Sequence, residues 1–518
     1  FKKNMSNDRR WTKSIASFVP FLNFLLLIHC FIPSHSLTTG TTTAPPATTS
    51  SSRTASSWTI PKNVKFGKLS NLEFLPIQDD DGTNMKDETT TALVEESQRI
   101  KVATAAIGLN FADVFTVLGL YKAANLVRTG NNGKDTSNSG GGILDPFVPG
   151  IEFAGVVLEG NGDFTKGDRV FGFTRFGAYS DIVSTRPEFI RKIPNKWSFE
   201  QGAAFLVNAL TAWHGLVNVG GMPDLLSKHR KKNDNGNQKD IYVVVVHSAS
   251  GGVGLWASEI AARRGAVVVG VVGSEEKKDT FMKRVGTLCN GDAAQCIVRS
   301  NNARDFDRDL AEACQKARHL SQRSSGGGVS STAAQQQQSL PFFSTCLQTA
   351  EAGYGADLVM ECYGGKYFAP SMEVINPGGS LSTYGATTYN DSGLGEGIPF
   401  VSLILNYIRR PRVDPGELTG RNIRVGGFNL IFLTENIDLL VTSLDGCVQC
   451  LCRNDEDDDD SIHDFDEMME QVNPPLVGSV FPFRVVDGVG GGGAVDALKA
   501  LRSGNTVGKV VLDNNDNP

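Results

Sequence analysis

Histidine is scarce in this chain, seven among 518 residues, and no pair has the H-E-x-x-H spacing that sets two zinc ligands on one helix face. A G-x-S-x-G elbow and a G-x-x-x-x-G-K-[ST] loop are also missing, which removes the strained hydrolase serine and the P-loop phosphate cradle. Net charge is small. The 50 Lys and Arg against 56 Asp and Glu leave −6, so no long-range field favours a polyanion, and nucleic acid gives way to small molecules as the expected partner. Cysteine is odd in number and scattered, nine in all. Cys289, Cys296, Cys314, Cys346 and Cys362 fall in segments that read as strands or helices, which argues against a disulfide framework. The C-x2-C-x-C group of Cys447, Cys450 and Cys452 has no fourth ligand at a suitable distance, so no metal is expected there.

The N-terminus carries a pattern of its own. After Lys2, Lys3, Arg9, Arg10 and Lys13 an apolar stretch runs from Ile15 to Ile32, ending near Pro33-Ser34-His35-Ser36, with the charged, apolar and small-residue parts of a secretory signal. Met5 is a candidate start. From Leu37 to Ser57 the chain is rich in Thr, Ser, Ala and Pro, carries Arg53 and contains no acid, which is transit-peptide composition. Signal plus transit region implies secretory-pathway entry and import into a plastid bounded by extra membranes. The competing reading is a membrane anchor, in a span interrupted by Pro20, Asn23 and His29.

Folded-domain composition begins near Trp58. Short runs at Arg99 to Ala106, Ile151 to Glu159, Asp168 to Phe173 and Tyr179 to Val183 are bounded by turn residues, the pattern of a small β domain over residues 58–205. Asn131 to Gly142 reads as an inserted loop. Helical periodicity from Glu200 to Val219 opens an α/β region, residues 206–385, with strands expected at Ile241 to His247, Ala266 to Val272, Ala356 to Glu361 and Gly379 to Gly385. Ser227 to Lys239 and Arg299 to Ala350, with its Gln335 to Gln338 run, interrupt it; Asp305 to Leu320 could carry a helix. Residues 386–518 turn irregular, include the acidic run Asp455 to Asp460, and finish with a helix near Ala494 to Arg502 and a strand at Lys509 to Leu512. They are expected to complete the β domain.

Ile241 to His247 leads straight into Ser248-Ala249-Ser250-Gly251-Gly252-Val253-Gly254 and a helix from Leu255 to Arg264. Strand, glycine-rich turn and helix stand in the order a dinucleotide site needs: backbone N–H groups must approach a pyrophosphate at a helix N-terminus, and the last glycine lets helix and strand pack closely. Ala249, Gly251 and Gly254 occupy the three fingerprint positions, and Ser250, Gly251, Gly252 and Val253 are the expected pyrophosphate contacts. The next strand ends at Gly273-Ser274-Glu275-Glu276-Lys277-Lys278. Ser274 stands where an acid would hold the ribose of NAD, and with Lys278 it suits a 2′-phosphate, although Glu275 and Glu276 oppose it. NADPH is therefore the expected cofactor. Gly364, Gly385 and Phe428 follow presumed strand ends, where ligands sit in open α/β sheets, and are further cofactor-side candidates. His214 and His247 read as structural.

Several motifs together resemble the medium-chain dehydrogenases/reductases, in particular the zinc-independent quinone oxidoreductase branch. They are Gly108-Leu109-Asn110-Phe111-Ala112-Asp113 with Gly119-Leu120-Tyr121, Pro149-Gly150-Ile151-Glu152-Phe153-Ala154-Gly155, Gly167-Asp168-Arg169-Val170, Gly177-Ala178-Tyr179, Thr211-Ala212-Trp213 and the Ala249 to Gly254 turn. Asn406 to Leu440, with Arg409-Arg410-Pro411-Arg412 and Gly426-Gly427-Phe428-Asn429-Leu430, is most similar to the vesicle amine transport protein subgroup. The resemblance implies an α/β fold with a Rossmann domain inserted into a GroES-like, mostly β catalytic domain, and a homodimer. It implies Asn110 and Tyr121 at the reacting centre and Thr211 near the nicotinamide, while Asp113 reads as a helix cap. Zinc-dependent relatives carry Gly-His-Glu where this chain has Gly150-Ile151-Glu152, and isoleucine cannot hold a metal. The implied activity is zinc-free hydride transfer from NADPH to a quinone or conjugated carbonyl compound. The alternative is a membrane-associated NADPH-binding protein with little turnover.

Overall fold

Strand β8, Val243–His247, and strand β9, Val267–Val272, are buried at every position, as expected for parallel strands covered on both faces. A computed structural model describes residues 55–77, 99–128, 144–226, 241–289, 294–324, 344–385, 387, 404–405, 408–453, 464–484 and 493–514. The expected targeting segment up to residue 54, the Asn131 to Gly142 loop, the Ser227 to Lys239 segment, the glutamine run and the Asp455 to Asp460 run lie outside the described residues. Among the described residues no helix is long and apolar enough to cross a membrane.

The other strands, in chain order, are β1 Ser56–Thr59, β2 Glu73–Pro76, β3 Ile100–Gly108, β4 Glu152–Glu159, β5 Arg169–Phe173, β6 Ile182–Thr185, β7 Ile190–Lys192, β10 Gln295–Val298, β11 Ala356–Glu361, β12 Ile375–Thr383, β13 Arg424–Gly427, β14 Val477–Pro482 and β15 Lys509–Asp513. A six-stranded sheet runs β10-β9-β8-β11-β12-β13, parallel throughout. A seven-stranded sheet runs β14-β15-β3-β4-β5-β7 with β6 on β3, antiparallel except for the β14–β15 pair.

Alternation along the parallel strands divides the core. Val244, Val246 and Val268 pack with Trp256, Ala257 and Ile260 of the helix Gly252–Arg263. Val243, Val245, Val267 and Val269 pack with Phe306, Leu310 and Cys314 of the helix Ala303–Ser324. Side chains one residue apart point to opposite faces, so each helix receives its own valine row. This is the Rossmann layering that the sequence predicts, and the antiparallel sheet supplies the expected β domain.

Three expectations need correction or refinement. The parallel sheet does not end at residue 385: β13 pairs with β12 in register from Ser380↔Arg424 to Thr383↔Gly427, and Gly446 of the helix Ile437–Cys452 lies against Trp213. Arg-Val-Gly-Gly lacks an apolar run, so β13 is formed by the open edge of β12 more than by its own residues. β14, β15 and the helix Gly493–Arg502 return to the antiparallel sheet region, and the helix Phe465–Gln471 touches it through Glu470 and Asn195. Second, Glu200 to Val219 is helical as its periodicity predicts, but divided into Phe199–Gly202, Leu206–Trp213 and a π-helical segment His214–Val219. Third, β12 starts at Ile375, before Asn376-Pro377-Gly378, which look like a turn and coincide with a register shift. Cys447 and Cys450 are buried in packing contacts, their thiols 3.8 Å and 4.0 Å from the Ala209 and Ile260 carbonyl oxygens.

A Cβ on Gly254 would stand 2.1 Å from the Ser248 carbonyl oxygen, whereas one on Gly273 meets nothing within 4 Å. Gly254→Ala should therefore lower the unfolding free energy by about 1–3 kcal/mol through overpacking, and Gly273→Ala should leave the urea midpoint unchanged. Equal midpoints for the two variants would remove helix–strand contact as the reason for Gly254.

Candidate active site and dinucleotide cradle

β8 delivers the chain into Ser248, held at φ 52, and the next amide, Ala249, donates to Val271 of β9 at 3.1 Å. The Gly251 amide then donates to the Ser248 carbonyl at 2.8 Å, and the helix Gly252–Arg263 begins with extended Gly251 at its cap position and no side-chain cap. Its first N–H groups are left for a ligand, where the helix dipole favours an anion. Space is tight here: a Cβ on Gly252 would lie 2.5 Å from Asn208 Nδ2. The stretch Ser250 to Val253 thus has the geometry a pyrophosphate requires. The end of the β domain closes on the same turn, the Gly508 amide donating to the Ser250 carbonyl at 2.9 Å.

The residue after Gly508 is the centre of the polar cluster. Lys509 Nζ lies 2.6 Å from Glu152 Oε2, with side-chain exposures of 4% and 0%. It also donates to Asn110 Oδ1 at 2.7 Å and lies 3.5 Å from Asn208 Oδ1. The second Glu152 oxygen accepts the Val207 amide at 2.9 Å. One ammonium thereby joins β15, β4, the end of β3 and the helix Leu206–Trp213. Asn110, a predicted catalytic residue, belongs to this cluster: its amide oxygen faces the ammonium, and its Nδ2 makes only long contacts, 3.3 Å to Gly108 O and 3.4 Å to Glu152. Lys509, Glu152 and Asn208 were not singled out by sequence reasoning. The available signal was a lysine opening the otherwise apolar terminal strand.

Asp113 is a capping residue, as expected. Its Oδ2 accepts the Asn110 amide at 2.8 Å and the Tyr179 hydroxyl at 3.2 Å, and burial pushes its carboxyl up to about 7. Tyr121, buried in the β domain, reaches across to the parallel-sheet region and donates to Asn429 Oδ1 at 2.8 Å. Burial raises its phenol well above the ordinary range. Asn429, also missed, follows Phe428, whose ring packs 4.8 Å from His214 and 6.2 Å from Tyr384.

The remaining predicted residues divide. Gly364, at φ 69, and Gly385 both lie at the carboxyl ends of the central strands. The Gly364 amide is held by Glu361 Oε1 at 2.7 Å, and a Cβ on Gly385 would lie 3.3 Å from the Cys362 carbonyl. Glu361 Oε2 has no hydrogen-bond partner among the described residues, and burial pushes this carboxyl up to about 7. Thr211 spends its hydroxyl on the Val207 carbonyl at 2.6 Å. Ser274 sits at the end of β9 as predicted, but its hydroxyl contacts Glu276 at 3.2 Å, and Lys278 pairs with Glu275 at 3.7 Å. His247 is buried against Ser371 Oγ at 2.8 Å and is pushed down to about 3 by burial, so it is a neutral framework group. Among the described residues no group of three His, Cys, Asp or Glu could hold a metal.

A family model described as zinc-binding dehydrogenase matches residues 252–410. The mouse synaptic vesicle membrane protein VAT-1 homolog-like is 26% identical over 338 residues, covering 64% of this chain and 60% of the relative. The quinone oxidoreductase of Pongo abelii is 38% identical over 137 residues, 26% of this chain and 37% of the relative. A solved mycobacterial protein complexed with NADPH superposes with TM-score 0.54 at 19% identity, covering 89% of this chain and 99% of that one. The chain shares the medium-chain dehydrogenase/reductase fold with these proteins, a Rossmann domain joined to a GroES-like domain. Its matched stretch spans 60% of the length of the curated VAT-1 homolog-like relatives. The family match begins at Gly252, so it takes in the cofactor side of this medium-chain fold and leaves Ile151 outside.

Lys509→Met alone should cost about 3–5 kcal/mol, because it strands the Glu152 carboxylate in the interior, and the double variant Lys509→Met/Glu152→Gln should recover most of that loss. Urea titration of the four proteins checks this; additive losses would show that the pair is not coupled. A second measurement follows from the buried carboxyls. Asp113 and Glu361 rise from ordinary values of 3.8 and 4.5 to about 7, so the folded state holds their protons more tightly than the unfolded chain. Their stabilisation is complete below the ordinary values and is lost as pH rises through 7. The unfolding free energy should fall by up to about 1.4 kcal/mol per pH unit per group between pH 5 and 7. Glu361→Gln should flatten its share of that slope, and an unchanged slope would place the titration elsewhere.

Proposed function

We propose that this chain is a zinc-independent, NADPH-dependent oxidoreductase that passes hydride to a quinone or an α,β-unsaturated carbonyl compound, working as a homodimer. The observation carrying the proposal is that one strand end serves both halves of the site. Gly508 closes on the cofactor turn, and the adjacent Lys509 fixes Asn110. Bound NADPH would supply the hydride. Ser250, Gly252 and Val253 would hold its pyrophosphate through backbone N–H groups, Gly251 giving its amide to Ser248 and its lack of a side chain to the close approach, with Gly364, Gly385 and Phe428 along the strand ends.

Hydride addition to an enone or quinone leaves negative charge on oxygen, and the protein must stabilise it. Tyr121 suits that task. With its phenol raised by burial it stays protonated at neutral pH and acts as a hydrogen-bond donor, exchanging Asn429 for the developing oxyanion, while solvent supplies the final proton. The Lys509 ammonium holds Asn110 in one orientation, so no reorganisation is required of that side chain. Ile151 provides no ligand for a Lewis-acid route. The segment before β1 is read as the targeting sequence that delivers the enzyme to a plastid; its expected end at residue 57 moves back to before Ser56, which is already paired in β1. The similarity to a vesicle membrane protein supports a second reading, cofactor binding without turnover.

The test is oxidation of NADPH by the purified protein against ortho-quinones, para-quinones and enones, with NADH as control and a chelator present. Turnover that prefers NADPH and survives the chelator is expected. Tyr121→Phe should lower kcat by roughly 10²-fold, the usual cost of one oxyanion donor. NADPH binding without turnover on any substrate would transfer the conclusion to the second reading.

A further inference from the structure

The cations around the end of β9 are almost all committed within the protein. Lys277 Nζ donates to the Gly504 carbonyl at 2.5 Å, Lys278 pairs with Glu275 at 3.7 Å, and Lys366 Nζ donates to the Asn301 carbonyl at 2.5 Å. Arg299 differs. It follows β10 directly, and its amide donates at 2.8 Å to the carbonyl of Val272, the last residue of β9, two positions before Ser274. Its guanidinium carbon stands 3.9 Å from the centroid of the Tyr363 ring and 5.0 Å from that of Tyr367. Among the described residues Nη1 is buried without a hydrogen-bond partner, and no carboxylate pairs with the side chain.

An aromatic face offsets part of a guanidinium's desolvation but accepts no hydrogen bond. The stack instead fixes the plane of the fork: Tyr363 rests in turn on the neutral His247 ring at 5.4 Å, so the support brings no second charge. A planar fork of donors in a fixed orientation is the geometry that grips a phosphate monoester through two oxygens. In a Rossmann site the ribose lies beyond the end of the second strand, beside Ser274. The Ser274 hydroxyl is already turned to Glu276, which leaves the anion-binding task to another group.

We propose that Arg299 is the specificity-determining residue of the cofactor site, its guanidinium pairing with the ribose 2′-phosphate while Tyr363 and Tyr367 hold it in plane. This rests on the reading that the glycine turn binds a dinucleotide. The ligand chemistry is a phosphate monoester on the adenosine ribose, which NADPH and 2′,5′-ADP carry and NADH and 5′-AMP lack.

Calorimetric titration of the intact protein with those four nucleotides tests the assignment without reference to turnover. The unaltered protein should bind 2′,5′-ADP about 10–100-fold more tightly than 5′-AMP, as expected for one charge-assisted pair. Arg299→Ala should abolish that preference and leave NADH affinity unchanged, and Arg299→Lys should retain part of it. Arg299→Gln, which keeps a polar head over Tyr363, serves if the alanine variant fails to fold, and should lose the preference equally. A preference that survives in the alanine or glutamine variant, or an equal loss for all four nucleotides, overturns the assignment alone. Unaltered protein that binds neither NADPH nor NADH overturns it together with the dinucleotide reading.

Discussion

A lysine and a glutamate buried together are a net stabiliser only if every donor and acceptor they carry is satisfied, because each ion forfeits several kcal/mol of hydration. The Lys509 ammonium has three donors and meets Glu152, Asn110 and Asn208. Glu152 spends its other oxygen on the Val207 amide. The arrangement is complete only when β15 has come back to pair with β3, so the ion pair holds the antiparallel sheet to the helix that starts the α/β region. Gly108 records the same constraint: a Cβ there would lie 2.0 Å from the Ala203 carbonyl oxygen and 2.9 Å from Lys509 Cε.

From that joint the cofactor cradle follows. Gly508 donates to Ser250 one residue before the seated Lys509, and Gly251 bridges to Gly508 on the tight turn after β8. The tight turn depends on Gly254, where any side chain meets the Ser248 carbonyl. Burial of all five residues of β8 makes its register hard to slip, since a one-residue shift would exchange the two valine rows between the two helices. Packing, turn geometry and the polar cluster therefore reinforce one another, which is the mark of a sequence with little local conflict.

What could be seen in the sequence was what short-range chemistry encodes. The valine run, the glycine spacing and the helix after it are local patterns, and β8, β9, β11 and the turn stand close to where they were expected. The cap role of Asp113 was legible for the same reason, being a contact across three positions. Contacts at long separation were not. Lys509 meets Asn110 across 399 positions and Tyr121 meets Asn429 across 308, and no periodicity announces such pairs. β13 escaped because an edge strand can be templated by its neighbour. Ser274 was found by counting along β9, but counting one strand says nothing about Arg299, which arrives on the next.

The distribution of negative charge around the parallel strand ends carries the last step. Among the described residues the carboxylates near the cradle are engaged elsewhere or kept protonated: Glu152 pairs with Lys509, Glu275 with Lys278 and Glu276 with Ser274, while Glu361 accepts the Tyr363 and Gly364 amides on one oxygen and is pushed up to about 7 by burial. His247 is kept neutral by burial, so it adds no competing cation behind Tyr363. Among the described residues the groups left without an internal partner include the N-terminus of the helix after the glycine turn and Nη1 of the stacked Arg299 guanidinium. A ligand with phosphate charge at two places, a pyrophosphate and a ribose monoester, matches that pattern, whereas one lacking the second phosphate leaves the Arg299 fork as unpaired as it is in the free protein and gains nothing there.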